Sequence, residues 1–259
     1  MPRISEETRQ RRLEELESNM RKCFISAETI KACREKATFQ TMDFLCDLFR
    51  MERERRDRSR ISSLVKAAGF PTIKSIDDYC TSEIRLPEDI TMDKLKSLDF
   101  IREKHTLIMH GICGSGKTML AICLGVLACN NFMKVRFFTL SQLSERLMEA
   151  SDSGRLETFL ATLRQLDLLV IDEWGYTSFS TESANLIYRV ISDSYERKSL
   201  IITTNLAFSE WGKLFSDNQL AAAIIDRIVH YGYPIDCGDK DWRLSNSPMK
   251  DMKFRKEAR

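Results

Sequence analysis

The sequence has no apolar run long enough to cross a membrane. Its longest runs, such as "TMLAICLGVLAC" (118–129), fall short of the ~18 to 20 residues that a membrane span needs. The polar stretch at the start of the chain also lacks the apolar core of a signal peptide. With 43% hydrophobic and 30% charged residues, the 259 residues suffice for one substantial globular core and an appendage. We therefore expect a cytoplasmic protein with no membrane partner.

Cysteine pairs with metal-binding or redox spacing are missing as well. None of the eight cysteines forms a CxxC pair, and the three histidines, His105, His110 and His230, make no ligand cluster with them. Several of the cysteines fall within apolar helical patterns. We predict reduced, mostly buried thiols and neither a zinc site nor a disulfide framework.

The chain has little net charge, and its value of +2 by itself implies no nucleic-acid partner. The distribution is uneven, because "RMERERRDRSR" (50–60) holds six arginines against three acids and the last residues, 250–259, are again basic. On a helix, Arg53, Arg56 and Arg60 share one face, which suits contacts to DNA phosphates. A solvated face of Glu/Arg pairs is the alternative.

Glycine and proline are almost absent from Ser5 to about Ala68, where apolar residues recur at helical spacing. Gly69 and Pro71 then break this pattern, which indicates a boundary near residues 67–72. We predict four parts. A helical N-terminal segment over 1–68 binds DNA or a partner, and a linker with short helices spans 69–104. A nucleotide-binding domain spans 105–245, and a basic tail follows over 246–259.

Beyond Lys104 the chain alternates short apolar runs with longer helical patterns, which is typical of βαβ units around a parallel sheet. The predicted strands are "TLIMH" (106–110), "VRFFT" (135–139), "LLVID" (168–172), "LIITT" (200–204) and "YPIDC" (233–237). The predicted helices lie over 117–130, 141–149, 155–165, 182–196 and 219–230. We therefore predict an α/β fold, a three-layer sandwich with a five-stranded parallel sheet.

One loop in this region has the pattern of a triphosphate site, GxxxxGK(S/T). The stretch "HGICGSGKT" (110–118) lies between a predicted strand and a predicted helix, so its backbone N–H groups and the helix N-terminus face an anion. Lys117 is suited to reach the β- and γ-phosphates of ATP, and the Thr118 hydroxyl to reach Mg²⁺. The residues expected to cradle the nucleotide are Gly111, Ile112, Cys113, Gly114, Ser115, Gly116, Lys117 and Thr118.

Two acids end the third predicted strand, in "LLVIDEWGY" (168–176). Four apolar residues followed by Asp172 and Glu173 are typical of a buried central strand whose carboxyl end meets the nucleotide. Asp172 is suited to hold Mg²⁺ and Glu173 to activate the attacking water. An acid directly after the metal-binding one favours hydrolysis over transfer to a small-molecule acceptor.

Two further residues are candidates for a role in hydrolysis. Asn205 follows the fourth predicted strand, where its amide can contact both the γ-phosphate and the lytic water; a turn or helix cap is the alternative. Arg227 lies on the helix before the last strand and is suited to stabilise phosphate charge from a neighbouring subunit, or else to form an ordinary ion pair. Too few residues follow the last strand for a separate lid, which favours a second subunit as the cover.

The motifs together resemble the IstB family, the ATP-binding helper proteins of bacterial insertion sequences, which are similar to DnaC-type helicase loaders among the AAA+ ATPases. The resemblance rests on four stretches that span most of the chain: "GICGSGKTMLA", "LLVIDEWGY", "YERKSLIITTNLAFSEW" and "LAAAIIDRIVHYG". Generic AAA+ proteins share the phosphate loop and the Asp-Glu strand, but not the Tyr-Glu-Arg before the Asn205 strand or the "FSEW" after it.

The resemblance implies an ATPase that forms ATP-dependent homo-oligomers on double-stranded DNA, with ATP sites at subunit interfaces, and recruits a transposase. It assigns the hydrolytic role to Glu173, the sensor role to Asn205 and the trans-acting arginine to Arg227. It also implies that the helices over 141–165 line the DNA path. A helicase loader in replication is the alternative, and an N-terminal apolar docking face would favour it. In a third possibility, the protein is a DNA-binding scaffold that is not an enzyme and holds ATP as a structural ligand.

Two departures from the family pattern stand out. The loop has Ile112 and Cys113 where the family usually has two prolines, and this leaves the glycines at both ends of the cradle in place. The C-terminal "DWRL" (241–244) stands where Ser-Tyr-Arg is common, so the role of Arg243 is open.

Overall fold

The structure is a computed structural model that describes residues 5–175, 179–215, 217–245 and 247. The chain divides into two compact units, one ending at Ser63 and the other beginning at Leu64. The basic tail expected over 246–259 lies outside the described residues apart from Ser247. No helix in the described ranges is both long and apolar enough to cross a membrane.

The first unit is helical. Its helices are α1 (Glu6–Lys22), α2 (Ala27–Lys36) and α3 (Phe39–Ala68), of which α3 continues past the unit boundary. Ser5 and Ser26 cap α1 and α2, because their side chains accept hydrogen bonds from backbone N–H groups in the first turns. A small core holds the three helices together and consists of Leu16, Met20, Ile30, Met42 and Cys46.

The arginine-rich part of α3 is largely engaged within this unit. Arg53 donates a 2.7 Å hydrogen bond to the Asn19 side chain, and Arg56 donates one of 3.1 Å to the Cys23 carbonyl. Arg56 also forms a 2.6 Å ion pair with Glu52. For these two arginines, the observed arrangement is closer to the ion-paired alternative than to an open phosphate-binding face.

The second unit opens with an irregular connection that contains a 3-10 turn, Ile76–Asp78, and two short helices, α4 (Met92–Lys96) and α5 (Asp99–Arg102). A five-stranded, wholly parallel sheet follows in the order β2-β3-β4-β1-β5. Its strands are β1 (Thr106–His110), β2 (Val135–Thr139), β3 (Leu168–Trp174), β4 (Ser199–Thr204) and β5 (Gly232–Asp236). The helices between and after them are α6 (Lys117–Asn130), α7 (Leu140–Asp152), α8 (Leu156–Arg164), α9 (Thr181–Ser194), α10 (Asn218–His230) and α11 (Trp242–Ser245).

Helices cover both faces of this sheet. Successive side chains of a strand point to opposite faces, so Leu107 and Met109 of β1 join the core under α6, whereas Ile108 joins the core under α7–α10. Because β1, β3 and β4 are buried on both faces, these three strands read as largely apolar runs in the sequence. The predicted α/β three-layer sandwich with five parallel strands is confirmed.

The ladder between β3 and β4 contains a bulge. Ile171 pairs with Ile202 and Trp174 with Thr204, so two residues of β3 face the single Thr203 between them. The second of the two, Glu173, has a φ of 60°, a left-handed conformation that is uncommon outside glycine. Bulges of this kind change the direction of a side chain at a sheet edge.

Candidate nucleotide-binding site

The loop from Gly111 to Gly116 connects the carboxyl end of β1 to the first turn of α6. Gly114 and Gly116 have φ values of 79° and 95°, which only glycine adopts without strain. Gly116 is the N-cap residue of α6, so the loop leads into a helix N-terminus with unpaired backbone N–H groups. This geometry favours an anion at the loop.

Lys117 folds back over the loop. Its Nζ donates hydrogen bonds of 2.8 Å to the Gly111 carbonyl and 2.7 Å to the Ile112 carbonyl. Burial lowers the pKa of Lys117, although the Cys237 and Cys113 thiols and the Asp172 carboxylate oppose the shift; the positive charge of Arg243 adds a smaller lowering. The ammonium group therefore lies in a partly desolvated place where an anionic ligand stabilises its charge.

Thr118 and Asp172 meet although 54 residues separate them. The Thr118 hydroxyl donates to both carboxylate oxygens of Asp172, at 2.9 and 3.1 Å. The Thr203 hydroxyl donates to Oδ1 of the same carboxylate, which is only 4% exposed.

This pair suits Mg²⁺, a hard cation that prefers oxygen ligands. Among the described residues, no group of three or more His, Cys, Asp or Glu side chains could hold a metal ion by itself. The hydroxyl and the carboxylate therefore fit a magnesium ion that takes its other ligands from water and from nucleotide phosphates.

A cavity of about 550 Å³ lies beside the loop. Residues from Cys113 to Met119 line it, and Glu173, Thr203 and Asn205 line it from the ends of β3 and β4. Because β3 and β4 are neighbours in the sheet, Glu173 and Asn205 reach the same opening. The structure therefore brings Lys117, Thr118, Asp172, Glu173 and Asn205 together at one site.

Residues of the connection before β1 form another wall, and the sequence motifs did not indicate them. Pro71, Thr72, Asp78, Tyr79 and Cys80 line the cavity. The Tyr79 hydroxyl lies 3.0 Å from the position that a Cβ on Gly116 would occupy, and burial raises the pKa of Tyr79. The only signal in the sequence was the Gly/Pro break near residue 70, which marks an irregular segment but not its neighbours in space.

Arg243 of α11 lines the cavity as well, next to Trp242. Sequence reasoning left its role open, because its place in the fold depends on the path of the chain after β5. It lies in the same subunit as the phosphate loop.

Arg227 does not line this cavity. Its guanidinium donates a 2.9 Å hydrogen bond to the Ala223 carbonyl and lies 5.0 Å from the centre of the Tyr188 ring. Its other neighbours include Thr106 and Leu200, which stand at the starts of β1 and β4. The phosphate loop follows the opposite ends of these strands, so Arg227 is remote from the site within one subunit.

A glycine-rich loop between a buried strand and a helix, a lysine and a threonine at its end, and two acids on a neighbouring strand define a P-loop nucleotide-binding protein. The strand order and the polar residue after β4 define it further as one of AAA+ type. The AMPPCP-bound DnaA from Aquifex aeolicus has this fold, with a TM-score of 0.52 at 16% identity over 73% of this chain and 59% of that one.

The family follows from sequence comparison. The family described as "IstB-like ATP binding protein" matches residues 12–249, and the chain belongs to it. The chain is 34% identical over 203 residues to the insertion sequence IS21 putative ATP-binding protein of Pseudomonas aeruginosa, covering 78% of this chain and 76% of that protein. It is 31% identical to the insertion sequence IS5376 putative ATP-binding protein of Geobacillus stearothermophilus, covering 88% and 92%. The resemblance to the IstB family is confirmed.

Proposed function

We propose that this protein is an Mg²⁺-dependent ATPase that assists the transposition of an insertion sequence. The observation that carries the ATPase part is the hydrogen-bonded pair of Thr118 and Asp172, with Glu173 in the wall of the same cavity. Mg²⁺, when bound, neutralises charge on the β- and γ-phosphates. Glu173 then accepts the proton of the attacking water, while Lys117 and Asn205 bind and orient the phosphate chain.

Release of inorganic phosphate from ATP tests this part. We expect turnover by the full chain that requires Mg²⁺ and is lost in Lys117→Ala. Nucleotide binding without measurable phosphate release would favour ATP as a structural ligand of a DNA-binding scaffold.

The second part of the proposal is that the protein binds double-stranded DNA. Support within the second unit comes from a groove of about 500 Å³ between β2, α7 and α8. Arg136, Arg146 and Arg155 line it against a single acid, Glu149. Arginines of this kind neutralise phosphates and release counterions.

The salt dependence of DNA binding tests the groove. Replacing any one of its three arginines by alanine should lower the slope of log affinity against log salt by about one. Arg197→Ala, which removes an exposed arginine outside the groove, should leave the slope unchanged. Equal slopes in all variants would mean that the groove does not contact DNA. The basic helices over 1–68 are proposed as a further contact with DNA or a partner.

The third part concerns assembly. Arg227 lies near the amino-terminal ends of β1 and β4, away from the phosphate loop. We therefore propose that it acts on the ATP site of a neighbouring subunit in a homo-oligomer. Mixing Arg227→Ala and Lys117→Ala subunits tests this, because an intact site forms only where the first supplies Lys117 and the second supplies Arg227. Partial recovery of ATP turnover is expected, and no recovery would contradict action in trans.

The proposed partner is a transposase, and the support is the family together with the insertion-sequence names of the relatives. One observation favours the alternative, a DnaC-like helicase loader. Phe44, Leu48 and Met51 recur at helical spacing on α3 and are exposed by 66%, 47% and 65%, which suits an apolar docking face. Titration of the full chain with the purified transposase and with the replicative helicase of the same cell distinguishes the two. Binding to the helicase alone would favour the helicase loader over the transposase helper.

A further inference from the structure

Arg227 lies at the border between the buried and the exposed faces of α10. Ile224 and Ile228 of this helix are buried in the core, whereas Asp226 and Val229 are exposed. The Arg227 side chain is half-buried between them. It is therefore held at the surface of the second unit, where another molecule can reach it.

The ring of Tyr188, on the adjacent helix α9, supports the Arg227 guanidinium. The distance from the Arg227 Cζ to the centre of the ring is 5.0 Å, within the range of a cation–π contact. The ring is itself held in place, because Tyr188 packs against the core between α9, α10 and the sheet. The Tyr188 hydroxyl forms no hydrogen bond with any described residue, so the ring alone supplies the contact.

The described part of the chain gives Arg227 no carboxylate partner. One N–H of its guanidinium donates the 2.9 Å hydrogen bond to the Ala223 carbonyl, one turn earlier on α10. Arg189, which follows Tyr188, is different, because it forms an ion pair with Glu157. An ion pair neutralises a cation, whereas an aromatic ring holds the cation in place and leaves its charge and most of its N–H donors for a ligand.

We propose that Tyr188 is a positioning residue, whose ring holds the Arg227 guanidinium in the orientation that reaches the nucleotide phosphates of a neighbouring subunit. The inference rests on the proposed action of Arg227 in trans. Without the ring, the long arginine side chain would move among several rotamers, and the neighbouring ATP would meet a correctly placed guanidinium for only part of the time. In its own subunit, Tyr188 is not among the described residues that line the nucleotide cavity.

ATP turnover by variants of the full chain tests the proposal. Tyr188→Leu should lower turnover about three- to thirtyfold, the usual range for a lost cation–π contact. Tyr188→Phe keeps the ring and should retain nearly all of the turnover. Tyr195→Leu is the matched control, because the Tyr195 ring stacks on His230 instead, and it should leave turnover nearly unchanged. Equal losses in Tyr188→Phe and Tyr188→Leu, or in Tyr195→Leu and Tyr188→Leu, would contradict the proposal.

Two further measurements separate this role from a structural one. Tyr188→Leu should bind ATP as tightly as the unaltered protein, since its own nucleotide cavity is intact. Mixing it with Glu173→Gln subunits, which keep Tyr188 and Arg227 but do not hydrolyse ATP, should raise the turnover per Tyr188→Leu subunit. The rise is expected because the neighbour then supplies a correctly placed arginine. Weakened ATP binding, or no rise in the mixture, would mean that the substitution damages its own subunit.

Arg227→Ala distinguishes a failure of this inference from a failure of the proposed function. If Arg227→Ala loses turnover and recovers it in the same mixture, while Tyr188→Leu turns over ATP normally, the role of Tyr188 is wrong and the trans-acting arginine stands. If Arg227→Ala turns over ATP normally, both fail. Adding Tyr188→Leu to Arg227→Ala should cause no further loss, because the ring acts only through the guanidinium. A further loss would assign Tyr188 a different role.

Discussion

The hydroxyl of Thr203 donates a hydrogen bond to Oδ1 of Asp172, across the bulge between β3 and β4. The Thr203 hydroxyl oxygen in turn accepts a 3.1 Å hydrogen bond from the Glu173 N–H, which helps to hold Glu173 in its left-handed conformation. One threonine hydroxyl therefore orients both acids of the site, although it lies on another strand. Partners of this kind fix the direction of metal-binding carboxylates.

Replacing Thr203 by valine should lower Mg²⁺-dependent ATP turnover about 10- to 100-fold, because Asp172 and Glu173 lose their common partner while the side-chain shape is kept. The affinity for ATP without Mg²⁺ should not change. Thr203→Ser, which keeps the hydroxyl, is the control and should retain most of the turnover. Equal turnover in the valine and serine variants would mean that the hydroxyl positions nothing needed for hydrolysis.

Glu173→Gln should reduce ATP turnover by about 10²- to 10⁴-fold while ATP still binds, because an amide cannot accept the proton of the attacking water. Phosphate release and ATP affinity, measured side by side, check both halves of this expectation. Glu145→Gln removes an exposed acid of α7 that does not line the cavity and should leave turnover unchanged. Normal turnover in Glu173→Gln would assign water activation to another group.

Gly114→Ala should weaken ATP binding and also destabilise the fold. Its φ of 79° disfavours any side chain, and the new methyl group would overlap the Asp241 carboxylate. Gly154→Ala is a matched control, because Gly154 has a similar φ of 67° but nothing within 4 Å of the added Cβ. The control should lose about 1 kcal/mol of unfolding free energy and keep its ATP affinity. Equal ATP affinities in both variants would contradict the close contact between Asp241 and the phosphate loop.

The buried Lys198 predicts a pH dependence of stability. Burial lowers the pKa of Lys198 to about 8, although the negative charge of Asp193 opposes this shift. The Lys198 Nζ donates a hydrogen bond to the Leu163 carbonyl. Below pH 8 the ammonium group is charged in both states, and burying it costs on the order of 3 kcal/mol. Between about pH 8 and the ordinary value of 10.5, the unfolded chain binds the extra proton, so the contribution of Lys198 to stability rises with pH.

Urea unfolding of the full chain and of Lys198→Met at pH 7.5 and pH 10 checks this dependence. The unaltered protein should gain stability relative to the variant as the pH rises. The comparison between the two proteins is required because burial raises the pKa values of Cys123, Cys129 and Cys237, which removes stability in the same alkaline range. A constant difference between the two proteins would exclude a shifted pKa at Lys198.

Much of the second unit could be predicted from the sequence. The bounds of β1 and α6 agree with the predicted 106–110 and 117–130, and β5 begins and ends one residue earlier than predicted. The reason is local: strands buried on both faces read as short apolar runs, and the phosphate loop marks where one element ends and the next begins. Asp172 and Glu173 could be recognised for a similar reason. They follow a predicted strand directly, and ligands of parallel sheets bind at the carboxyl ends of the strands.

The parts that could not be predicted depend on contacts between distant residues. Nothing in the sequence around Thr203 indicates that its hydroxyl bonds a carboxylate 31 residues earlier. Tyr79 and Arg243 come from segments without regular patterns, and they reach the cavity only because the chain crosses the loop before β1 and after β5. The bulge at Glu173 also escapes prediction, because it arises from the register of two strands and not from the residues of either.

The position of β1 in the sheet limits how the site can respond to its nucleotide. β1 is paired on one side with β4 and on the other with β5. Sliding β1 along its axis would break both ladders at once, so the base of the phosphate loop is a fixed point. If ATP binds at the proposed site, we expect any difference between ATP and ADP to appear in the segments on either side of this point, Asn205 after β4 and residues 237–245 after β5. The sheet is the rigid support of the site, and we expect the two flanking segments to transmit the identity of the bound nucleotide to the rest of the protein.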